Sequence, residues 1–67
     1  ETMIKINGTP VQLSAPCTVE TFLLEQGYTL QRIAVERNGE ILPKKHYADT
    51  LVLENDTYEV VSFVGGG

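Results

Sequence analysis

The sequence predicts an α+β fold in which a mixed sheet packs against one short α-helix. Three observations carry that expectation. Apolar and polar residues alternate near both ends of the chain, two Asn-Gly dipeptides stand where hairpins would turn, and one stretch between them has apolar residues at helical spacing. Period-two alternation marks a half-buried strand, and a 3.6-residue period marks an amphipathic helix.

The first strand is expected over 3–7, with Ile4 and Ile6 on one face and Met3 and Lys5 on the other. Asn7-Gly8 follows, a pair that accepts the positive φ angles of a type I′ turn. Val11 and Leu13 then alternate with Gln12 in an antiparallel return strand. Pro10 stands near the start of that strand, where its missing N–H is tolerated. Thr18 is a good N-cap and Glu20 places a negative charge in the first helical turn. Val19, Phe22 and Leu23 form the apolar stripe, and Gly27 offers the left-handed geometry that closes a helix. A helix of about nine residues depends on packing more than on propensity.

Residues 33–37 read as a third strand ending in Asn38-Gly39, with a brief return strand at 41–42 stopped by Pro43. Residues 44–50 read as a loop with one helical turn around His46-Tyr47, and 51–53 as a short edge strand. Glu54-Asn55-Asp56 is a turn cluster, and 57–64 is the longest strand. Along it Tyr58, Val60 and Ser62 share one face, and Glu59, Val61 and Phe63 the other. Hairpin, helix, strands and a final strand beside the first make a two-layer β-grasp, or ubiquitin-like, arrangement. The domain is expected over 1–64, with a flexible glycine tail at 65–67.

Sixty-seven residues allow one domain, and such a chain buries only about 60% of the surface its unfolded form exposes. Cys17 is the only cysteine and His46 the only histidine, so neither a disulfide nor a Cys/His metal site can staple the fold. The core must hold by apolar packing, for which 42% hydrophobic residues suffice. A single thiol without a disulfide framework points to a reducing, cytoplasmic setting. The net charge of −4 argues against nucleic acid as partner and suits a protein with a basic docking surface. The adjacent Lys44 and Lys45 read as a solvated loop face. No apolar run reaches the roughly 20 residues of a membrane span, and no signal peptide is visible. Met3 reads as a natural start, with Glu1 and Thr2 preceding it.

The sequence ends Gly65-Gly66-Gly67. Glycine carries the largest entropic cost of ordering, so this run is expected to project as an arm, and three extended residues reach roughly 10 Å. With no side chain to collide or shield, it could enter another protein's active site and offer its terminal carboxylate. A carboxylate is a poor electrophile until ATP converts it to an acyl-adenylate, from which a sulfur nucleophile can displace AMP. This chain has no phosphate-binding loop and no Ser/His/Asp or Cys/His constellation, so the ATP belongs to a partner. The chain reads as a carrier that binds no cofactor itself. Taken alone, a glycine end is a weak signal and more often the mark of a linker; what raises it here is that the glycines directly follow the last strand of a β-grasp pattern.

The segments Met3-Ile4-Lys5-Ile6-Asn7-Gly8, Thr18-Val19 with Phe22-Leu23-Leu24, Asn38-Gly39-Glu40-Ile41-Leu42-Pro43-Lys44 and the closing residues 56–67 resemble the bacterial ThiS family of sulfur carriers in thiamine biosynthesis. The resemblance spans nearly the whole chain. It implies that Gly67 is adenylated by a ubiquitin-activating-like adenylyltransferase of the ThiF type. The glycine then becomes a thiocarboxylate with sulfur from a persulfide donor such as cysteine desulfurase, and the sulfur passes to a ThiG-type thiazole synthase. Gly65 and Gly66 would supply the slender approach. The family often has Gly-Asp before its last strand where this chain has Asn55-Asp56, and Asn also tolerates left-handed geometry.

Two other readings stay open on the sequence: the sulfur-carrying small subunit of molybdopterin synthase, and a β-grasp interaction module with an incidental glycine tail. Cys17 is a rival sulfur bearer through a persulfide, but no basic side chain is near it in sequence and cysteine commonly fills apolar space. His46 has no second ligand, and Tyr28, Tyr47 and Tyr58 read as packing residues. If Tyr58 and Val60 face the helix, Glu59, Val61 and Phe63 emerge on the open sheet face just before the tail. They are the partner-docking candidates.

Overall fold

The computed structural model describes residues 1–63. Its hairpins are set by the two Asn-Gly turns. Asn7 and Gly8 have φ of 49° and 81°, and Asn38 and Gly39 have 53° and 86°, the left-handed pairs that a type I′ turn requires. The first turn joins β1 (Thr2–Ile6) to β2 (Thr9–Leu13), antiparallel with Ile4 opposite Val11. The second joins β3 (Ile33–Arg37) to β4 (Glu40–Ile41). The last strand, β5 (Thr57–Ser62), lies between β1 and β3, parallel to the former and antiparallel to the latter. The order β2-β1-β5-β3-β4, crossed by one helix, is the β-grasp architecture.

The helix α1 (Val19–Glu25) begins where the Thr18 hydroxyl accepts the backbone N–H of Thr21 at 3.2 Å. It ends in a Schellman pair: the N–H of Gly27 donates to the Leu24 carbonyl and that of Tyr28 to the Leu23 carbonyl. Gly27 supplies the required positive φ of 92°. The helix stops at seven residues, shorter than expected, because Gln26 is already its cap.

The sheet-facing stripe of α1, Val19, Phe22 and Leu23, meets Ile4, Ile6, Ile33, Val35, Tyr58 and Val60 from the sheet, with Tyr47 and Val52 closing the core. Phe22 and Tyr58 pack with ring centroids 5.7 Å apart and planes tilted by 45°. Tyr47 and Tyr58 are buried and Tyr28 is half-buried against this cluster, so all three are packing residues.

Several expectations need correction. Residues 51–53 do not form an edge strand; Leu51 makes a lone bridge with Thr18. The backbone there is spent elsewhere: Thr50 accepts from Val19, Val52 donates to Cys17, and Leu53 donates to the Asp56 carboxylate. The alternation Leu51 exposed, Val52 buried, Leu53 exposed is genuine, but no strand lies alongside. β1 ends at Ile6 because Asn7 is already in the turn. β4 lies one residue early because a two-residue turn sets Glu40 opposite Arg37. A 3₁₀ turn at Leu30–Arg32 was not foreseen, whereas the helical turn near His46 is a 3₁₀ turn at Lys44–His46. β5 ends at Ser62, and Val64 lies outside the described residues.

Candidate functional site

Strand alternation decides what β5 shows on each side. Tyr58 and Val60 point into the core, so Glu59 and Val61 point away from the helix. Across β3, Val61 stands opposite Ala34 and Glu59 opposite Glu36, while Ile41 of β4 stands opposite Glu36. The open face therefore carries an apolar strip on which Ile41 is 77% exposed and Val61 60%. Phe63 follows the end of β5 and is 52% exposed. It is held there by its N–H, which donates to the Arg32 carbonyl at 2.6 Å, and it lines a groove with Ala34, Ile41 and Pro43. Burial of these side chains would be worth about 25 cal/mol per Å² to a partner that covered them. Gly65, Gly66 and Gly67 lie outside the described residues.

Two polar devices fix the strand that leads to this edge. Asn7, though in a turn, uses its side chain as a short piece of strand. Its Oδ1 accepts from the Val60 N–H at 2.8 Å and its Nδ2 donates to the Val60 carbonyl at 3.2 Å. Backbone groups that β1 would otherwise leave unpaired are thereby satisfied.

The second device is built on Asp56, only 5% exposed. Its Oδ2 accepts from Tyr58 Oη at 2.8 Å, the Leu53 N–H at 2.9 Å and Arg37 Nε at 3.1 Å; its Oδ1 accepts from Asn38 Nδ2 at 3.0 Å. Burial alone would raise the Asp56 carboxyl. The donors from Asn38, Leu53 and Tyr58 and the Arg37 charge outweigh it and hold the group below the usual carboxylate range. The Tyr58 hydroxyl is pushed up, first by burial and then by the carboxylate that it donates to. One carboxylate thus ties the β3–β4 turn, the 51–56 loop and the base of β5 together.

The structure does not bring the other singled-out residues to this face. Cys17 lines a groove between β2 and α1, partly packed on the core, and burial with the nearby Glu25 charge raises its thiol. That environment disfavours the thiolate that a sulfur bearer needs. His46 Nδ1 is 3.4 Å from Asp49 Oδ1, an exposed pair one turn apart. Among the described residues no group of three His, Cys, Asp or Glu could hold a metal, and no helix is long and apolar enough to cross a membrane.

Ala34, Glu36 and Ile41 were not singled out from the sequence, yet they complete the face. The signal for the first two was available, since Ile33 and Val35 facing inward force Ala34 and Glu36 outward. No local signal announces the Asp56 cluster, because its side-chain bonds to Arg37 and Asn38 join residues 19 and 18 positions apart.

A five-stranded β-grasp sheet with an exposed apolar strip beside the end of its central last strand defines a protein of the ubiquitin-like class. Comparison with known proteins narrows the class. The ThiS family model matches residues 4–67, and the chain belongs to that family. It is 48% identical over 62 residues to a thiazole synthase of Paramagnetospirillum magneticum, covering 92% of this chain and 19% of that protein. It is 33% identical over 66 residues to the sulfur carrier protein ThiS of Bacillus subtilis, covering 97% of this chain and all of that protein (100%). The crystal structure of the thiamine biosynthesis protein ThiS from Geobacter metallireducens superposes with a TM-score of 0.81 at 28% identity, covering 98% of this chain and 100% of that one. The chain spans about a fifth of the length of the two thiazole synthases that it matches.

Proposed function

We propose that this chain carries sulfur for thiazole formation in thiamine biosynthesis, as a thiocarboxylate on Gly67. A carboxylate oxygen of Gly67 attacks the α-phosphorus of ATP on a ThiF-type adenylating enzyme, and pyrophosphate leaves. The terminal sulfur of a persulfide, supplied by a donor such as cysteine desulfurase, then attacks the acyl carbon and AMP leaves. A thiol breaks the resulting S–S bond with two electrons, and the thiocarboxylate goes to a ThiG-type thiazole synthase. The chain supplies the acyl group and the docking surface, and its partners supply the catalysis. The persulfide and the thiol steps fit a reducing cytoplasm.

The observation that carries this reading is that the ThiS family match runs through Gly67. The geometry supports it in one further respect: β5, which leads toward residues 65–67, is pinned by Asn7 and Asp56 beside exposed Val61 and Phe63. A thiazole synthase partner is supported by relatives of that name that carry a segment like this chain. The test is pyrophosphate–ATP exchange by the adenylating enzyme of the same organism. Exchange should rise with the chain whose last residue is Gly67 and vanish when Gly67 is deleted. Equal exchange with the deleted form would overturn the proposal.

A further inference from the structure

Glu36 and Glu59 are direct cross-strand partners in the antiparallel β3–β5 pair, and both are exposed. Like charges directly opposite one another weaken a sheet. Among the described residues neither carboxylate has an ion-pair partner; the ion pairs there are Arg37–Asp56 and His46–Asp49. Lys5 shares the open face one strand away, paired in register with Thr57 and so diagonal to Glu59, yet it forms no ion pair with it.

The two carboxylates do not stand alone in water. They line one shallow groove with Ala34, Ile41 and Val61, the apolar strip of the open face. A partner that covered the strip would exclude water from both carboxylates, where an unmatched charge is costly and a matched one binds strongly. The cation that fits is a guanidinium. It is planar, permanently charged and has five donors, enough to bridge two acceptors on adjacent strands, which the compact ammonium of lysine does less well. A chain of net charge −4 is also repelled by nucleic acid and anionic lipid, which leaves a protein as the occupant.

We propose that the partner reads this face through an arginine that bridges Glu36 and Glu59, with apolar side chains around it covering Ile41 and Val61. This rests on the carrier reading, because the occupant is taken to be the adenylating enzyme. The pair then selects as well as binds: a surface that is apolar without the arginine would bury two uncompensated carboxylates and be rejected.

The experiment measures association of the adenylating enzyme with the whole chain by biosensor kinetics at several salt concentrations, for wild type, Glu36→Gln, Glu59→Gln and the double variant. Far-UV circular dichroism melts accompany each protein; removal of the repulsion should leave every melting temperature equal or slightly higher. The double variant should bind roughly 30-fold more weakly or worse, as expected on losing a desolvated charge partner, with a flattened salt dependence. Unchanged affinity in the folded double variant overturns the arginine proposal and leaves the carrier reading standing. No binding by wild type overturns both. Weakened binding of the variants, with no pyrophosphate exchange by wild type, sustains the arginine proposal while the carrier reading fails.

Discussion

Replacing Asp56 by alanine should cost the domain about 3 kcal/mol, a value set by which donors lose their acceptor. Tyr58 is fully buried, so its hydroxyl would be stranded without water, at about 1–3 kcal/mol. Arg37 would lose its ion-pair partner, but its side chain is 24% exposed and can rehydrate, which keeps the total near the low end for a broken buried pair. Leu53 and Asn38 lie nearer the surface and add less. A domain of this size has a total stability of roughly 3–10 kcal/mol, so the loss is a large fraction of it, from just under a third upward. Urea unfolding followed by far-UV circular dichroism, with tyrosine emission as second probe in a chain without tryptophan, gives the difference directly.

The pH dependence supplies an independent check. The folded carboxyl lies below its unfolded value, so its stabilisation is complete above the unfolded value near about 4 and is lost as pH falls through the folded one. Asp56→Asn keeps an acceptor oxygen but has no such titration. The gap between wild type and Asp56→Asn should therefore be full at neutral pH and shrink in strong acid. An Asp56→Ala protein within 1 kcal/mol of wild type at neutral pH, or an Asp56→Asn gap independent of pH, would refute the reasoning.

Other consequences follow from the same structure. Phe63→Asp, at a half-exposed position beyond β5, should leave the melting temperature within a few degrees of wild type and lower the rate of adenylation at limiting enzyme; equal kinetics would remove Phe63 from the docking face. Gly27→Ala meets no atom within 4 Å, so its cost is conformational alone, about 1 kcal/mol in urea unfolding from holding φ at 92°. Cys17→Ser should leave sulfur loading of the chain intact, and the wild-type thiol should alkylate more slowly with iodoacetamide at neutral pH than a free cysteine. Loss of loading in the serine variant would return Cys17 to the pathway.

The elements that the sequence announced are those whose cause is local. Asn7-Gly8 and Asn38-Gly39 need only their own φ angles, and Thr18 and Gly27 need only the turn beside them. The inward face of β5 followed from alternation, and so did the exposure of Glu59 and Val61. Leu51 to Leu53 misled because a short apolar run is not enough for a strand, which also needs a neighbour with free backbone groups, and Asp56 and the entry to α1 take those groups. The Asn7 and Asp56 devices were illegible for the same reason. Asn7 reads as a turn residue and Asp56 as part of a polar loop until the fold brings Val60, Arg37 and Tyr58 to them. Glu36 gained meaning only when the register set it against Glu59.

The central claim is chemical, and mass analysis of the C-terminal peptide tests it most directly. The chain is incubated with ATP, the adenylating enzyme and a persulfide donor, then digested. The account predicts that sulfur replaces one oxygen on the peptide ending in Gly67, and that omission of ATP abolishes the change. Localisation is essential, since oxidation of Met3 or Cys17 adds nearly the same mass. An unmodified C-terminal peptide under conditions where the enzyme consumes ATP would contradict the account.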